Sequence, residues 1–591
     1  MLRFIVIVGL LLFALTAKKL VTWSNHIYTA RSSGFVVRKS PVHLIDLWWL
    51  GLYPKLVPWL NYLSAAWTSG WLPLSKIFHL WHVGHEPFEQ LGSDNIMLSS
   101  PNGNMLWSSD PETINQIANQ AKNFRKPVEY FSFFDTYGPN MQTSLGDNWK
   151  AQRKMVAPAI GSHSNAAMWQ SSLLQAERLT ALMTADGPVI SHMKDHMSEI
   201  SLHCIAQCFF NKNLEYETIK EFPSRELPEG RFGFVEAMFT TIDKLGIIDS
   251  IPKSLRAYIP LKSIKRADKA YHDLHSYITE ICDEALKKDA TDRKDTDISI
   301  MDTLIASTRP ESAERNGKVL DRETLTGNVF FFLLSGHGTA GNTLGFMMFL
   351  LAIRQDIQAD LHAHLDAELG GKPIDTWSVT DEFMRLYNGY TGAVLKEAMR
   401  LYNVVEFIPR RCTAEASVTD LNGNHFTIPR DTLCLLNFTA AFRHPSIWPA
   451  GPTANDPATG KYHPMLDFDP SRWDSFADKI TKPSEVGLRT YFPFGLGGRA
   501  CLGKSLGSIM MVGVLAYIFT HFSIELVPSH AVEEEATRTG ADEKWVKERT
   551  QEQALQMLVD EVECNLLIEL RKELPVRLVP RLVPQLVPQK V

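Results

Sequence analysis

A mainly helical chain with a few small β-sheets is the fold the sequence predicts. From about residue 110 onward, apolar residues recur at helical spacing over 111–122, 165–184, 190–210, 232–243, 262–288, 297–307, 322–354, 355–369, 381–402 and 502–520. Stretches with strand character are short: 94–99, 104–108, 404–412, 425–428, 432–436, 522–527 and 565–570. A 45% hydrophobic content beside 21% charged residues supplies a sizeable core for a chain of 591 residues.

The N-terminal run FIVIVGLLLFALTA (4–17) is uncharged and apolar. Alone it falls short of the roughly 18 residues of an ordinary span. Lys18 and Lys19 can snorkel, so that Leu20, Val21 and Trp23 extend it. Basic residues are heavier after the run (Lys18, Lys19, Arg31, Arg38, Lys39) than before it (Arg3), which orients the remainder toward the cytosol. Cleavage as a secretory signal would want a small side chain where Leu15 stands. Residues 1–25 are therefore expected to be an uncleaved anchor, and 26–90 a membrane-proximal linker. Within that linker, LIDLWWLGLYPKLVPWLNYL (44–63) holds Asp46, Lys55 and two prolines, which suits an interfacial segment better than a second span. Near the other end, the charged stretch 528–561 reads as a solvated loop with a short helix. The tail RLVPRLVPQLVPQKV (577–591) repeats a unit ending in Pro580, Pro584 and Pro588, so it is expected to be extended and mobile.

Net charge is −6, and no Lys/Arg-rich cluster offers a nucleic-acid footprint; nucleic acid is excluded as a partner. Seven cysteines, scattered and odd in number, argue against a disulfide framework and for a reduced compartment. His203, Cys204 and Cys208 lie close together, yet no second cluster completes a zinc set, so they read as helix residues.

The most informative segment is FPFGLGGRACLG (492–503), followed at once by the apolar helix pattern LGSIMMVGVLAYIF (506–519). Cys501 on a tight loop at a helix N-terminus has its thiolate form favoured by backbone N–H groups and the helix dipole. Glycines at 495, 497, 498 and 503 let backbone and a flat cofactor approach the sulfur, and Arg499 offers a forked donor to a carboxylate of that cofactor. A single thiolate ligand is how a protein pushes electron density into haem iron.

This segment resembles the haem-binding signature of the cytochrome P450 family, Phe-x-x-Gly-x-Arg-x-Cys-x-Gly. Its fixed positions are filled by Phe494, Gly497, Arg499, Cys501 and Gly503. KEAMRLY (396–402) and FDPSRWDS (468–475) resemble the family's Glu-x-x-Arg and Pro-x-Arg motifs, which implies that Glu397, Arg400 and Arg472 form a buried charge cluster. Asn403 stands where the family often has proline. GDNWKAQRK (146–154) is similar to the Trp-x-x-x-Arg helix, which implies that Trp149 and Arg153 lie at the haem and that the arginine meets a propionate. Another propionate-binding arginine falls at Arg410, with Arg411 next to it and the choice between them open.

GNVFFFLLSGHGTAGNTLGFMMFLL (327–351) has no Asp, Glu, Lys or Arg, yet its polar, glycine-rich centre points to a helix buried through the protein, its small residues leaving room for cofactor or substrate. It resembles the family's distal helix. Ser335, Gly336 and Thr339 fit the pattern; Gly338 replaces the expected acid, and Ala340 a common hydroxyl residue. In the family the threonine and the acid help deliver the protons that split dioxygen. Here Thr339 keeps a hydroxyl while Gly338 can donate nothing. His337 is the variable residue of the pattern and not an iron ligand; Phe332 and the aromatic segment 130–137 are candidates for shaping the pocket.

The resemblance covers roughly residues 90 to 580 and implies a haem-thiolate domain over 91–576, with the haem between the helix 322–354 and the helix after Cys501. It implies a membrane-anchored monooxygenase containing haem b, which inserts an oxygen atom from O2 into a lipophilic small molecule. No flavin or nicotinamide fingerprint occurs, the glycines at 495–498 not opening a strand–helix unit, so electrons are expected from NADPH through a separate NADPH-cytochrome P450 reductase. The endoplasmic reticulum surface and secondary-metabolite biosynthesis in fungal style complete that expectation. Two other readings stay open: a haem-thiolate enzyme of rearrangement or dehydration, which Gly338 keeps alive, and a haem-binding sensor without turnover. A thiol hydrolase finds no Cys–His pairing to support it.

Overall fold

A computed structural model describes residues 2–60, 62–185, 189–214, 230–287, 299–449, 451, 467–473 and 490–581. The chain divides into two compact units. The first comprises Met1–Pro127, Lys396–Cys501 and Leu558–Arg571. The second comprises Val128–Leu395, Leu502–Met557 and Lys572–Val591.

The first unit is built on a six-stranded sheet in the order β1-β2-β3-β8-β5-β4. Its strands are β1 (Val36–Lys39), β2 (Asn95–Ser100), β3 (Gly103–Ser108), β4 (Phe124–Arg125), β5 (Phe407–Cys412) and β8 (Leu433–Asn437). A separate hairpin pairs β6 (Ala416–Thr419) with β7 (His425–Ile428). Met97, Leu106, Ile117, Phe124, Leu436, Phe438, Phe442 and Phe492 form the core against this sheet. The short β1 and β6 were not among the expected strands; four residues carry too little alternation to stand out. The expected strand 565–570 is instead a pair of three-residue strands, Val562–Cys564 and Ile568–Leu570.

Helix α1 spans Leu2–Arg31 and so runs past residue 25. Its C-terminal end belongs to the body: Ala30 is fully buried, the Trp23 indole donates to the Ser99 carbonyl, and His26 meets the Ser100 carbonyl. Toward the N-terminus Leu10, Phe13, Leu15, Leu20 and Val21 are exposed. Among the described residues, the helix long and apolar enough to cross a membrane is Lys504–His521, and 78% of that window is buried, which marks a core helix.

The second unit is helical. Its longest element, Arg322–Ile353, starts where the Asp321 carboxylate accepts from the Thr324 amide at 2.7 Å. It packs against Met193–Phe210, the helix that carries His203, Cys204 and Cys208. The glycines of the long helix serve that packing: a Cβ on Gly336 would come within 2.8 Å of Ile205, and one on Gly341 within 2.6 Å of Ser198. The expectation that its small residues leave room for a ligand is corrected at these two positions, where a neighbouring helix fills the room. The expected helix 381–402 breaks at Gly389 into Glu382–Asn388 and Tyr390–Leu401.

Two further expectations are corrected. The charged stretch 528–561 forms two helices, His530–Thr539 and Glu543–Asp560, held by buried Val532, Ala554 and Leu558. Glu, Lys, Gln and Ala are strong helix formers, so a few apolar anchors suffice. The tail begins not as a mobile segment but as a strand, Val576–Pro580, antiparallel to Phe522–Leu526. Pro580 sits at its last position, where a missing N–H is tolerated. Residues 582–591 lie outside the described residues.

Glu573 accepts from the Lys194 amide at 2.8 Å, next to the first turn of Met193–Phe210. Burial pushes its carboxyl up to about 7, against the ordinary 4.5. A raised carboxyl contributes stability that is full below 4.5 and lost as pH rises through about 7. Denaturant unfolding of the wild type is therefore expected to lose about 2 kcal/mol across that window after allowance for solvent screening. Glu573→Gln removes this part of the pH slope; an unchanged slope would discount the assignment.

Candidate active site

The cysteine loop closes the first unit. Gly495 and Gly497 have φ of +74° and +68°, a region side chains other than glycine rarely adopt. At Gly497 space adds to conformation, because a Cβ there would lie 2.2 Å from the Ala118 carbonyl oxygen. The Cys501 amide donates to the Phe494 carbonyl at 2.8 Å, and the Ala500 amide to the Gly497 carbonyl at 3.0 Å. Phe494 and Cys501 are thus the two ends of one closed turn, with Arg499 on the 3-10 turn between them. Gly503 directly precedes the helix Lys504–His521. None of the seven cysteines is in a disulfide, and Cys501 is the exposed one. Burial pushes the Cys282 and Cys412 thiols up to about 11, which keeps them inert.

Strand alternation sets two adjacent arginines on opposite faces of β5. Arg410 on β5 is only 4% exposed, whereas Arg411 points to the other face and donates to the Asp431 carbonyl at 3.3 Å. The Arg410 guanidinium donates to the Pro409 carbonyl at 2.9 Å, and no carboxylate among the described residues meets it. Burial lowers its pKa to about 10. Lys126 joins it: burial first, then Arg499 and Arg410, push this buried lysine down to about 6. Burial and its two positive neighbours thus hold Lys126 largely in its neutral form at pH 7, next to the Arg410 and Arg499 guanidiniums. Lys126 escaped the sequence reading because a lysine in the loop FRKP (124–127) looks like any solvated lysine.

A charge cluster belongs to the same unit. Arg400 forks onto Glu397 at 2.9 and 2.7 Å and reaches Asp467 at 2.9 Å. Arg472 meets Glu397 at 3.3 Å and Asp467 at 2.9 Å, and the Trp473 indole donates to Glu397 at 2.9 Å. Asp467 is the member that sequence reasoning missed.

In the second unit, the long helix is buried from Thr324 to Ile353 except at Ser335, Gly336, Gly338 and Thr339. One short stretch of an otherwise enclosed helix is open. Thr339 Oγ1 donates to the Ser335 carbonyl at 3.1 Å. His337 between them is buried, its ring 2.7 Å from the Leu333 carbonyl and edge-on to Phe239, and burial lowers its pKa to about 4. Trp149 and Arg153 lie on the helix Gly146–Val156, the guanidinium 5.9 Å from the indole centroid. Phe332 is buried against Phe209, and Phe134 meets Phe331 edge-on, so these aromatics pack among themselves.

The donor set fits haem: one exposed thiol on a glycine-shaped loop, and in the same unit the Arg410 and Arg499 guanidiniums, suited to carboxylates. Comparison with known proteins agrees. Residues 96–542 match the family model described as Cytochrome P450, and the chain belongs to that family. Among its curated relatives, Cytochrome P450 monooxygenase 124 of Postia placenta is 24% identical over 76% of this chain and 81% of that protein. Cyclooctat-9-en-7-ol 5-monooxygenase of Streptomyces melanosporofaciens is 25% identical over 81% of this chain and 91% of that one. The crystal structure of the cytochrome P450DA heme domain shares the fold at a TM-score of 0.62 and 18% identity, covering 86% of this chain and 96% of that one. The protein is a cytochrome P450 monooxygenase, an oxidoreductase whose family implies haem, a small-molecule substrate, O2 and a redox partner.

Proposed function

We propose that this enzyme oxygenates a lipophilic small molecule of secondary metabolism, with haem b held by the Cys501 thiolate. Bound there, haem supplies activation of dioxygen for insertion into a carbon–hydrogen bond. Arg410 and Arg499, with Lys126 next to them, hold its carboxylates, and the family resemblance assigns Trp149 and Arg153 to the same cofactor. Gly497 and Gly503 shape the loop, Phe494 anchors it through the Cys501 amide, and Gly336 lets the long helix seat against Ile205.

The observation that carries the substrate side is the opening at Ser335–Thr339 within a buried helix. The helix around it carries no charged side chain from Leu325 to Ile353, which favours a lipophilic guest over a charged one. A relative named for oxidising cyclooctat-9-en-7-ol supports the same class. Thr339 holds and passes a proton, using ordered water or a substrate hydroxyl where the family has its acid. Gly338→Asp is accordingly expected to change the ratio of oxygenated product to released peroxide; an identical ratio removes this role.

Electrons come from NADPH through a separate cytochrome P450 reductase, the chain having no flavin or nicotinamide fingerprint of its own. The exposed apolar residues of α1 support an anchor in the endoplasmic reticulum membrane with the catalytic body in the cytosol. Turnover under isotopically labelled dioxygen tests the reaction: one labelled atom in the product is expected. Product without label means rearrangement or dehydration, and absence of turnover with normal haem content and every reductase tried means a sensor.

A further inference from the structure

Between Asp46 and Glu86 the chain has no acidic residue, and its only Lys or Arg residues are Lys55 and Lys76. Helix α2, Leu47–Leu60, occupies the start of this stretch and has two unlike faces. One face is core: Trp49 and Tyr53 are buried with Trp71, and the Trp49 indole donates to the Ser75 carbonyl at 2.9 Å. Along the other, Trp48, Leu52 and Trp59 are exposed. Their spacing of four and seven residues puts them on one longitudinal stripe, and Lys55 falls on the same stripe. Tyr62, Leu63 and Trp67 continue the exposed apolar surface beyond the helix, Trp59 at 74% and Tyr62 at 87%. Isolated exposed apolar residues are ordinary; six within twenty positions of one segment are not.

The stretch is tied to the same point as α1. Lys19 donates to the Asn102 side-chain oxygen at 3.5 Å, and the Asn102 amide group donates to Asp46, which receives the His43 amide at 2.7 Å. Asn102 sits in the turn between β2 and β3. The level at which the apolar part of α1 leaves the body, and the residue that leads into α2, are therefore pinned to one turn.

We propose that Leu47–Thr68 is an interfacial membrane seat. In this arrangement α2 lies flat in the headgroup layer, Trp48, Leu52, Trp59, Tyr62 and Trp67 enter the lipid, and Lys55 reaches the phosphates. Tryptophan and tyrosine prefer this depth because an apolar ring and a polar N–H or O–H are both accommodated there. An acid-free segment with lysine among aromatics matches a phosphate-bearing surface. A second copy is a poorer occupant, since face-to-face stripes would bring one Lys55 against another. The proposal rests on reading α1 as an anchor, and adds a second contact that would fix the tilt of the body on the bilayer.

The test uses full-length haem-loaded enzyme in vesicles of phosphatidylcholine with a minor share of phosphatidylserine, the acyl chains brominated at shallow or deep positions. Tryptophan quenching is expected, stronger from shallow bromine. The double variant Trp48→Phe/Trp59→Phe should lower the lipid-quenched amplitude about twofold while the haem spectrum stays normal. Carbonate-resistant flotation is scored separately. Enzyme that floats but shows the same quenched amplitude in the variant overturns the seat and leaves the anchor standing; enzyme that does not float overturns both. Should Leu52→Glu/Trp59→Glu instead dissolve a dimer with quenching unaltered, the face is a protein interface and the proposal falls.

Discussion

Cys501→Ala is expected to abolish the thiolate-type absorption band of the reduced, carbon-monoxide-bound enzyme and to lower oxygenation by at least about 10³-fold. The size follows from what the sulfur does: a thiolate is the electron-rich ligand that favours cleavage of the O–O bond, and no neighbouring group replaces it. The fold should survive, because Cys501 is exposed and its removal leaves no buried cavity, while the loop stays closed by backbone bonds from Cys501 to Phe494 and from Ala500 to Gly497. Cys208→Ala is the control, its thiol pushed up to about 12 by burial and structurally confined; its spectrum should match wild type. An unaltered spectrum in Cys501→Ala would remove the basis of the proposed site.

Legibility in the sequence followed the range of the interaction concerned. The cysteine loop could be read because its determinants, Gly495, Gly497, Arg499 and Gly503, act within a few residues of the sulfur. Glu397 and Arg400 pair across one helical turn, a contact their spacing permits and the family motif implied. Asp467 could not be found that way: LDFDP (466–470) holds two aspartates, and only tertiary packing directs the first onto Arg400 and Arg472. The same limit hid Lys126, whose neighbours Arg410 and Arg499 are hundreds of residues away in the chain. Arg410 and Arg411 were equivalent until a strand gave them opposite faces. At Gly336 and Gly341 the composition was right and the inference from it was not, since a glycine makes room for whichever partner arrives and here a helix did. The tail misled for another reason. A proline every fourth residue excludes helix, but does not stop Val576–Pro580 from pairing along one edge.

Loss of Glu397 should be the most damaging single change for stability. Four charges, Glu397, Arg400, Asp467 and Arg472, balance one another, and the first three are essentially solvent-free. Glu397→Gln keeps the shape but leaves two arginines facing one carboxylate, a net buried charge that costs about 3–5 kcal/mol. Against a total stability of about 5–15 kcal/mol, that removes between roughly a fifth and all of the margin, so the urea midpoint should fall clearly. Arg400→Lys should fare little better, because one ammonium cannot reproduce a fork serving Glu397, Asp467 and the Phe442 carbonyl together. Removing one charge of each sign, in Glu397→Gln/Arg400→Gln, restores balance between Asp467 and Arg472. The double variant should therefore be more stable than the sum of the single losses by more than about 1 kcal/mol. Urea unfolding followed by circular dichroism measures Glu397→Gln, Arg400→Gln and the double variant, with Arg400→Lys alongside. Strict additivity would mean that the cluster's charges act independently, and that geometry rather than charge balance holds this part of the core.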